Sequence, residues 1–172
     1  MAKISRSDAR EELFGLMFEI EFQTEANPTE IYERSCNNRE IPTDAYIKKA
    51  FFGIISKRDV LDEVIRRYAE GWKTERLSRV ARAILRIAVY EILFVDDIHP
   101  NISISQAVTL AAKFGEDKAK QFVNGVLAGL FKDWESLGAE AIISAAVQSL
   151  EATKQPEGQA DEATTAESGE NV

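Results

Sequence analysis

Residues 78–94, SRVARAILRIAVYEILF, form the densest apolar stretch of the chain, and their spacing decides the fold. Leu77, Val80, Ala81, Ile84, Leu85, Ala88 and Ile92 recur at three- and four-residue steps, and Arg79, Arg82 and Arg86 keep the same period on a neighbouring face. A helix with so wide an apolar stripe has to bury it against other helices.

The segments on either side supply that cover. Working back, residues 43–69 read as one long helical stretch opened by Thr43 or Asp44, with Ile47, Ala50, Phe51, Ile54, Leu61, Val64, Ile65 and Tyr68 on its apolar side. Gly53 and the polar run SKRD at 56–59 are where it would bend, and Gly71 is a natural stop. Trp72 then sits in a linker, where it either plugs the seam between subdomains or stacks on a base; the plug is favoured. Earlier still, Asn27 as cap, Pro28 at the first helical position and Glu30 at the third predict a short helix, with Cys36 in the polar loop behind it. Residues 7–22 place Leu13, Phe14, Leu16, Met17 and Ile20 on one face of a first helix, with Asp8 and Glu11 as a capping pair.

Working forward, DDIHPN is a turn that leaves His99 at the surface. Ile102 followed by Ser103 and Gln106 matches a capping box, so the next helix should start there and run to Gly115. A further stripe of Phe122, Val123, Val126, Leu127, Leu130 and Phe131 marks a helix over 117–132, in which Gly125 and Gly129 point to close helix packing. The expectation is an all-α protein of about six or seven helices. Its domain covers residues 1–133, a possible extra helix covers 134–150, and a disordered acidic tail covers 151–172.

Composition removes several classes. At 172 residues and 45% hydrophobic, the chain has material for one domain with a substantial core. No run approaches the roughly 18 apolar residues that a membrane span requires, and the opening MAKISRSDAREE lacks an apolar signal region, so the expectation is a cytoplasmic protein. Cys36 is the single cysteine, which gives neither a disulfide nor a zinc pair and is read as an ordinary residue. The net charge of −8 counts against non-specific nucleic-acid binding, but about −5 of it lies beyond residue 150, leaving a body that a local basic patch could still adapt to RNA.

Two stretches together resemble the NusB family of bacterial transcription antitermination factors: ARAILRIAVYEIL at 81–93 and KFGEDKAKQFVNGVL at 113–127, with ISISQAVTLAA between them and the opening ARE at 9–11. The likeness covers roughly residues 5–130 and is weakest over 23–75. It implies a NusB-like fold of two small packed helical subdomains and a function without catalysis. That function is binding the boxA element of ribosomal RNA leader transcripts together with NusE, a small-subunit ribosomal protein. The complex joins RNA polymerase and other Nus factors and suppresses premature termination. No cofactor or metal is implied.

The resemblance also assigns residues. The basic start of the first helix, here Arg6 and Arg10, is implied to bind RNA, although Ser7 and Asp8 stand where other members often carry arginines. Lys113, Lys118 and Lys120 form a second basic group around Phe122, which is either a stacking platform for a single-stranded base or a core residue. Arg86, Tyr90, Glu91, Asn124 and Gly125 are expected to be structural, with Arg86 paired to Glu91 or another carboxylate. Gln106 stands where the family commonly has glutamate.

Of the competing readings, one is set aside by the sequence and two stay open. NusB-like domains also occur fused to ribosomal RNA cytosine methyltransferases, but there is no strand–glycine–helix unit for the cofactor and Cys36 lies in an unrelated loop. A helical interaction module with weak RNA binding, including a homodimer that hides the RNA-facing surface, fits the acidic balance. The acidic tail is either a solvated appendage or an intramolecular competitor for the basic patch.

Overall fold

The computed structural model describes residues 3–72 and 77–155 as eight α-helices, with no strand among the described residues. The tail expected from 151 onward lies outside the described residues from 156, while 151–154 belong to the last helix.

The first helix, α1 (Arg6–Ile20), starts at a Ser5 cap: the Ser5 side chain accepts the Asp8 backbone N–H at 3.0 Å and its hydroxyl donates to the Asp8 carboxylate at 2.6 Å. The capping pair is therefore Ser5 and Asp8, one step earlier than the expected Asp8 and Glu11. In α2 (Pro28–Asn38) the Asn27 side chain accepts the Thr29 N–H at 2.9 Å, as the local pattern predicts. Cys36 is inside α2, not in a loop, because the helix continues through the polar residues that were expected to end it.

The long stretch of 43–69 divides into α3 (Ala45–Ser56), capped by Asp44, and α4 (Arg58–Ala69). Lys57, at φ −110° and ψ 13°, is the break between them. Separating the two lets α3 pack on α1 while α4 packs on α7 and α8, which one straight helix could not do.

The central helix, α5 (Arg79–Phe94), is capped by the Ser78 side chain, and every residue from 83 to 93 is buried. It touches α1, α3, α4, α6, α7 and α8, so most of the fold packs around it. Its neighbour α6 (Pro100–Phe114) begins before the expected capping box: His99 is the cap and accepts the Asn101 N–H, which puts Ser103 inside the helix and buries it.

The seventh helix, α7 (Ala119–Leu137), runs past Lys132 and includes Trp134. After Gly138, whose φ of +81° suits glycine, comes α8 (Ala139–Lys154). α8 buries Ile142 and Ala146, and the Ser149 hydroxyl donates to Glu63 on α4 at 2.7 Å. Trp72 packs one side of its ring against the start of α7, edge-on to Phe122 at 5.5 Å, and a Cβ on Gly125 would come within 2.0 Å of it. The packing reading of Gly125 follows from that contact, whereas Trp72, 40% exposed, covers the seam and does not plug it.

Candidate nucleic-acid interface

The start of α1 splits its two arginines between opposite fates. Arg6 is exposed, with its guanidinium 4.2 Å from the ring centroid of Tyr46 on α3. Arg10, one helical turn on, faces inward and is only 4% exposed. Its Nε donates to Glu91 at 2.8 Å, and Glu91, itself 1% exposed, also accepts from the Tyr46 hydroxyl and from the Ser103 hydroxyl at 2.6 Å. One carboxylate thus joins α1, α3, α5 and α6. Burial, then the Glu91 charge, push the Tyr46 phenol far above its ordinary value, so Tyr46 remains a hydrogen-bond donor.

This arrangement corrects one expectation and decides a second. Arg10 is taken away from the surface that direct RNA contact needs. Arg86, expected to pair with Glu91 or another carboxylate, takes the second course. It sends Nε and Nη2 to the Asp62 carboxylate at 2.7 and 2.8 Å and Nη1 to Glu21. Burial works against its charge, but those carboxylates more than offset it and keep the guanidinium protonated. Gln106 is part of neither pair, accepting instead from the Ser7 hydroxyl at 3.0 Å.

The second basic group is only partly free. Lys113 holds Glu11 at 2.6 Å, whereas Lys118 and Lys120 are exposed and make no ion pair among the described residues. Phe122 resolves to the core reading: it is 6% exposed and forms the floor of a cleft of about 370 Å3 whose rim holds Lys118 beside Glu116 and Asp117. A base cannot lie flat on a ring so covered. Tyr90 is buried against Gly53 and stacks on Phe94 at 5.9 Å, a structural role. Asn124 is exposed and makes no side-chain hydrogen bond among the described residues, so the fold does not use its amide.

Local pattern missed an aromatic face. Phe14 and Phe18 on α1 and Phe22 in the turn after it follow one another at 5.9 and 5.1 Å, and Phe114 joins Phe14 at 4.8 Å. Phe22 is 56% exposed with Arg79 over its ring at 4.5 Å. The four-residue spacing of 14, 18 and 22 was the available signal.

The sequence profile of the NusB family matches residues 7–132. The chain belongs to the NusB family. It is 37% identical to the transcription antitermination protein NusB of Bacillus licheniformis over 132 residues, covering 77% of this chain and all of that protein. It is 42% identical to that of Agathobacter rectalis over 128 residues, covering 73% and 98%. Among solved structures, NusB of T. maritima superposes with a TM-score of 0.67 at 32% identity, covering 77% of this chain and 94% of that one. A structure of the antitermination factors NusB and NusE in complex with double-stranded RNA gives 0.65 at 27% identity, covering 74% and 96%. The family match ends inside α7, so α8 lies beyond it. Among the described residues, no helix is long and apolar enough to cross a membrane.

Proposed function

We propose that this NusB-family protein is a transcription antitermination factor that binds a boxA-type element of ribosomal RNA leader transcripts together with NusE. In that role it acts in the bacterial cytoplasm, with RNA polymerase and the other Nus factors, to suppress premature termination. The observation that carries the reading is the match of the family over 7–132, joined to a superposable relative solved with both NusE and RNA. The role needs recognition alone and no catalytic step.

The geometry divides the work. Arg6, Lys118 and Lys120 are exposed cations without carboxylate partners among the described residues, and they are the phosphate contacts of the reading; Lys113 joins them when it releases Glu11. Arg10 serves indirectly, by fixing the start of α1 through Glu91. Phe18, Phe22 and Phe114 offer an apolar face suited to a protein partner, which we assign to NusE.

The test is binding of a fluorescent boxA-like RNA and a scrambled control, with and without NusE, across a salt series. Three single-strand phosphate contacts give a logarithmic salt slope of about −2, at about 0.7 for each. Selective binding that NusE strengthens supports the reading, and the absence of selective binding even with NusE refutes it. The burial of Arg10 and the pairing of Lys113 favour a second reading, a helical interaction module with weak RNA binding whose homodimer hides the RNA-facing surface. A solution mass that halves when RNA is added identifies the occluded dimer.

A further inference from the structure

We propose that α3 extends the RNA-binding surface, with Tyr46 as the positioning residue for Arg6 and Lys49 as an additional phosphate contact, in the cleft between the start of α1, α3 and the end of α5. This rests on the RNA-binding function proposed above and names a part of the site that the α1 arginines alone do not define.

The cleft, about 190 Å3, is lined by Arg6, Tyr46, Lys49, Tyr90, Val95 and Asp97, with two alanines of α3 completing it. Two cations from different helices therefore meet in one concavity. Neither Arg6 nor Lys49 has a carboxylate within ion-pair distance among the described residues, and both are exposed. Most other arginines of the fold are already committed: Arg10, Arg34, Arg39, Arg66, Arg82 and Arg86 each hold an acid. Lys49 follows Tyr46 by three residues, so the two share a helix face.

Tyr46 makes the site more than two neighbouring charges. Its hydroxyl is tied to Glu91, and the Arg6 guanidinium lies 4.2 Å from its ring centroid with that of Arg10 at 5.9 Å, so the ring is anchored at its hydroxyl end and carries Arg6. A guanidinium stacked by its face keeps its edge N–H groups free, and those groups match a phosphate. Parking Arg6 on a fixed ring also removes part of the ordering cost that a long exposed side chain otherwise pays on binding. Asp97 lines the same cleft; its carboxylate repels phosphate and accepts from a hydroxyl or amine, so the phosphate contacts are left to Arg6 and Lys49. The cleft's volume suits one sugar-phosphate unit and leaves the base outside.

The experiment measures binding of fluorescent boxA-type RNA to the full chain with NusE, for the wild type, Arg6→Ala, Lys49→Ala, Tyr46→Leu, Tyr46→Phe, Tyr46→Leu with Arg6→Ala, and Lys118→Ala. Lys49→Ala is expected to weaken binding, and its deficit relative to wild type should shrink about 2.6-fold between about 50 and about 200 mM salt, the signature of one lost contact. Tyr46→Leu should weaken binding when Arg6 is present and add nothing when Arg6 is already alanine, while Tyr46→Phe keeps the ring and most of the affinity. A purely structural role for Tyr46 would instead lower affinity equally in both backgrounds. Lys49→Ala at wild-type affinity and slope, with Lys118→Ala weakened, overturns the α3 site and leaves the function intact. A Lys49→Ala defect in NusE affinity alone assigns the cleft to a protein partner and also overturns it. Wild-type protein that binds no RNA selectively removes the function and this site together.

Discussion

Replacing Arg10 by alanine separates a core ion pair from an RNA contact. The substitution leaves the Glu91 carboxylate, 1% exposed, with two hydroxyl donors and no countercharge. Breaking a buried pair by removing one partner costs about 3–5 kcal/mol, because the remaining charge stays out of water. With a urea m-value of about 2 kcal/mol/M, the unfolding midpoint should fall by about 1.5–2.5 M. Far-UV circular dichroism during urea titration measures it. The paired change Arg10→Met with Glu91→Leu should recover much of the loss, limited by the Tyr46 and Ser103 hydroxyls that then lack an acceptor, at about 1–3 kcal/mol for each one left unsatisfied. The reasoning is refuted if Arg10→Ala keeps its midpoint within about 0.5 M of wild type while RNA affinity drops tenfold or more. That result would place Arg10 at the surface as a direct ligand.

Further outcomes test other joints of the fold. Gly125→Ala drives a Cβ to 2.0 Å from Trp72; the resulting strain of about 1–3 kcal/mol should outweigh the roughly 1 kcal/mol gained in helix propensity, and in a Trp134→Phe background Trp72 emission should shift to the red. A stabilised protein with unchanged emission would contradict that packing. Hydrogen bonds from Arg66 and then Ser149 hold the Glu63 carboxyl down at about 2, below its usual 4.5, so the stability it contributes is complete above about pH 4.5 and is lost as the pH falls towards 2. Glu63→Gln should flatten the acid limb of the stability curve in that window, and parallel limbs for the two proteins would count against it. Ile142→Ala should cost about 2–5 kcal/mol within a single cooperative transition; a loss below about 1 kcal/mol would mean that α8 is not part of the core.

Much of the architecture was legible because it rests on local chemistry. The Asn27–Pro28 cap, the stripe of α5 and the glycine at 125 each follow from spacing within a few residues. What was hidden depends on partners far along the chain. Glu91 lies 81 residues from Arg10 and 45 from Tyr46, so periodicity shows that Arg10 is on a helix but not that a carboxylate waits beneath it. Arg86 was rightly read as a buried cation seeking an acid, yet other carboxylates of the neighbouring helices, such as Glu19, Asp59 and Glu63, fit that description by sequence as well as Asp62 and Glu21 do. The break at Lys57 had only the weak cue of a polar run, since what divides α3 from α4 is the direction in which each must pack. The start of α6 was misplaced because Ser103 and Gln106 imitate a capping box while Pro100 opens the helix one turn earlier.

Likeness among proteins and burial draw different lines through this chain. A polypeptide cut where the family match stops would end in mid-helix, take Ser149 from Glu63 and open the seam that Ile142 and Ala146 close. The packed body of this protein therefore extends through α8, which lies across a face of α4 that the family match leaves uncovered.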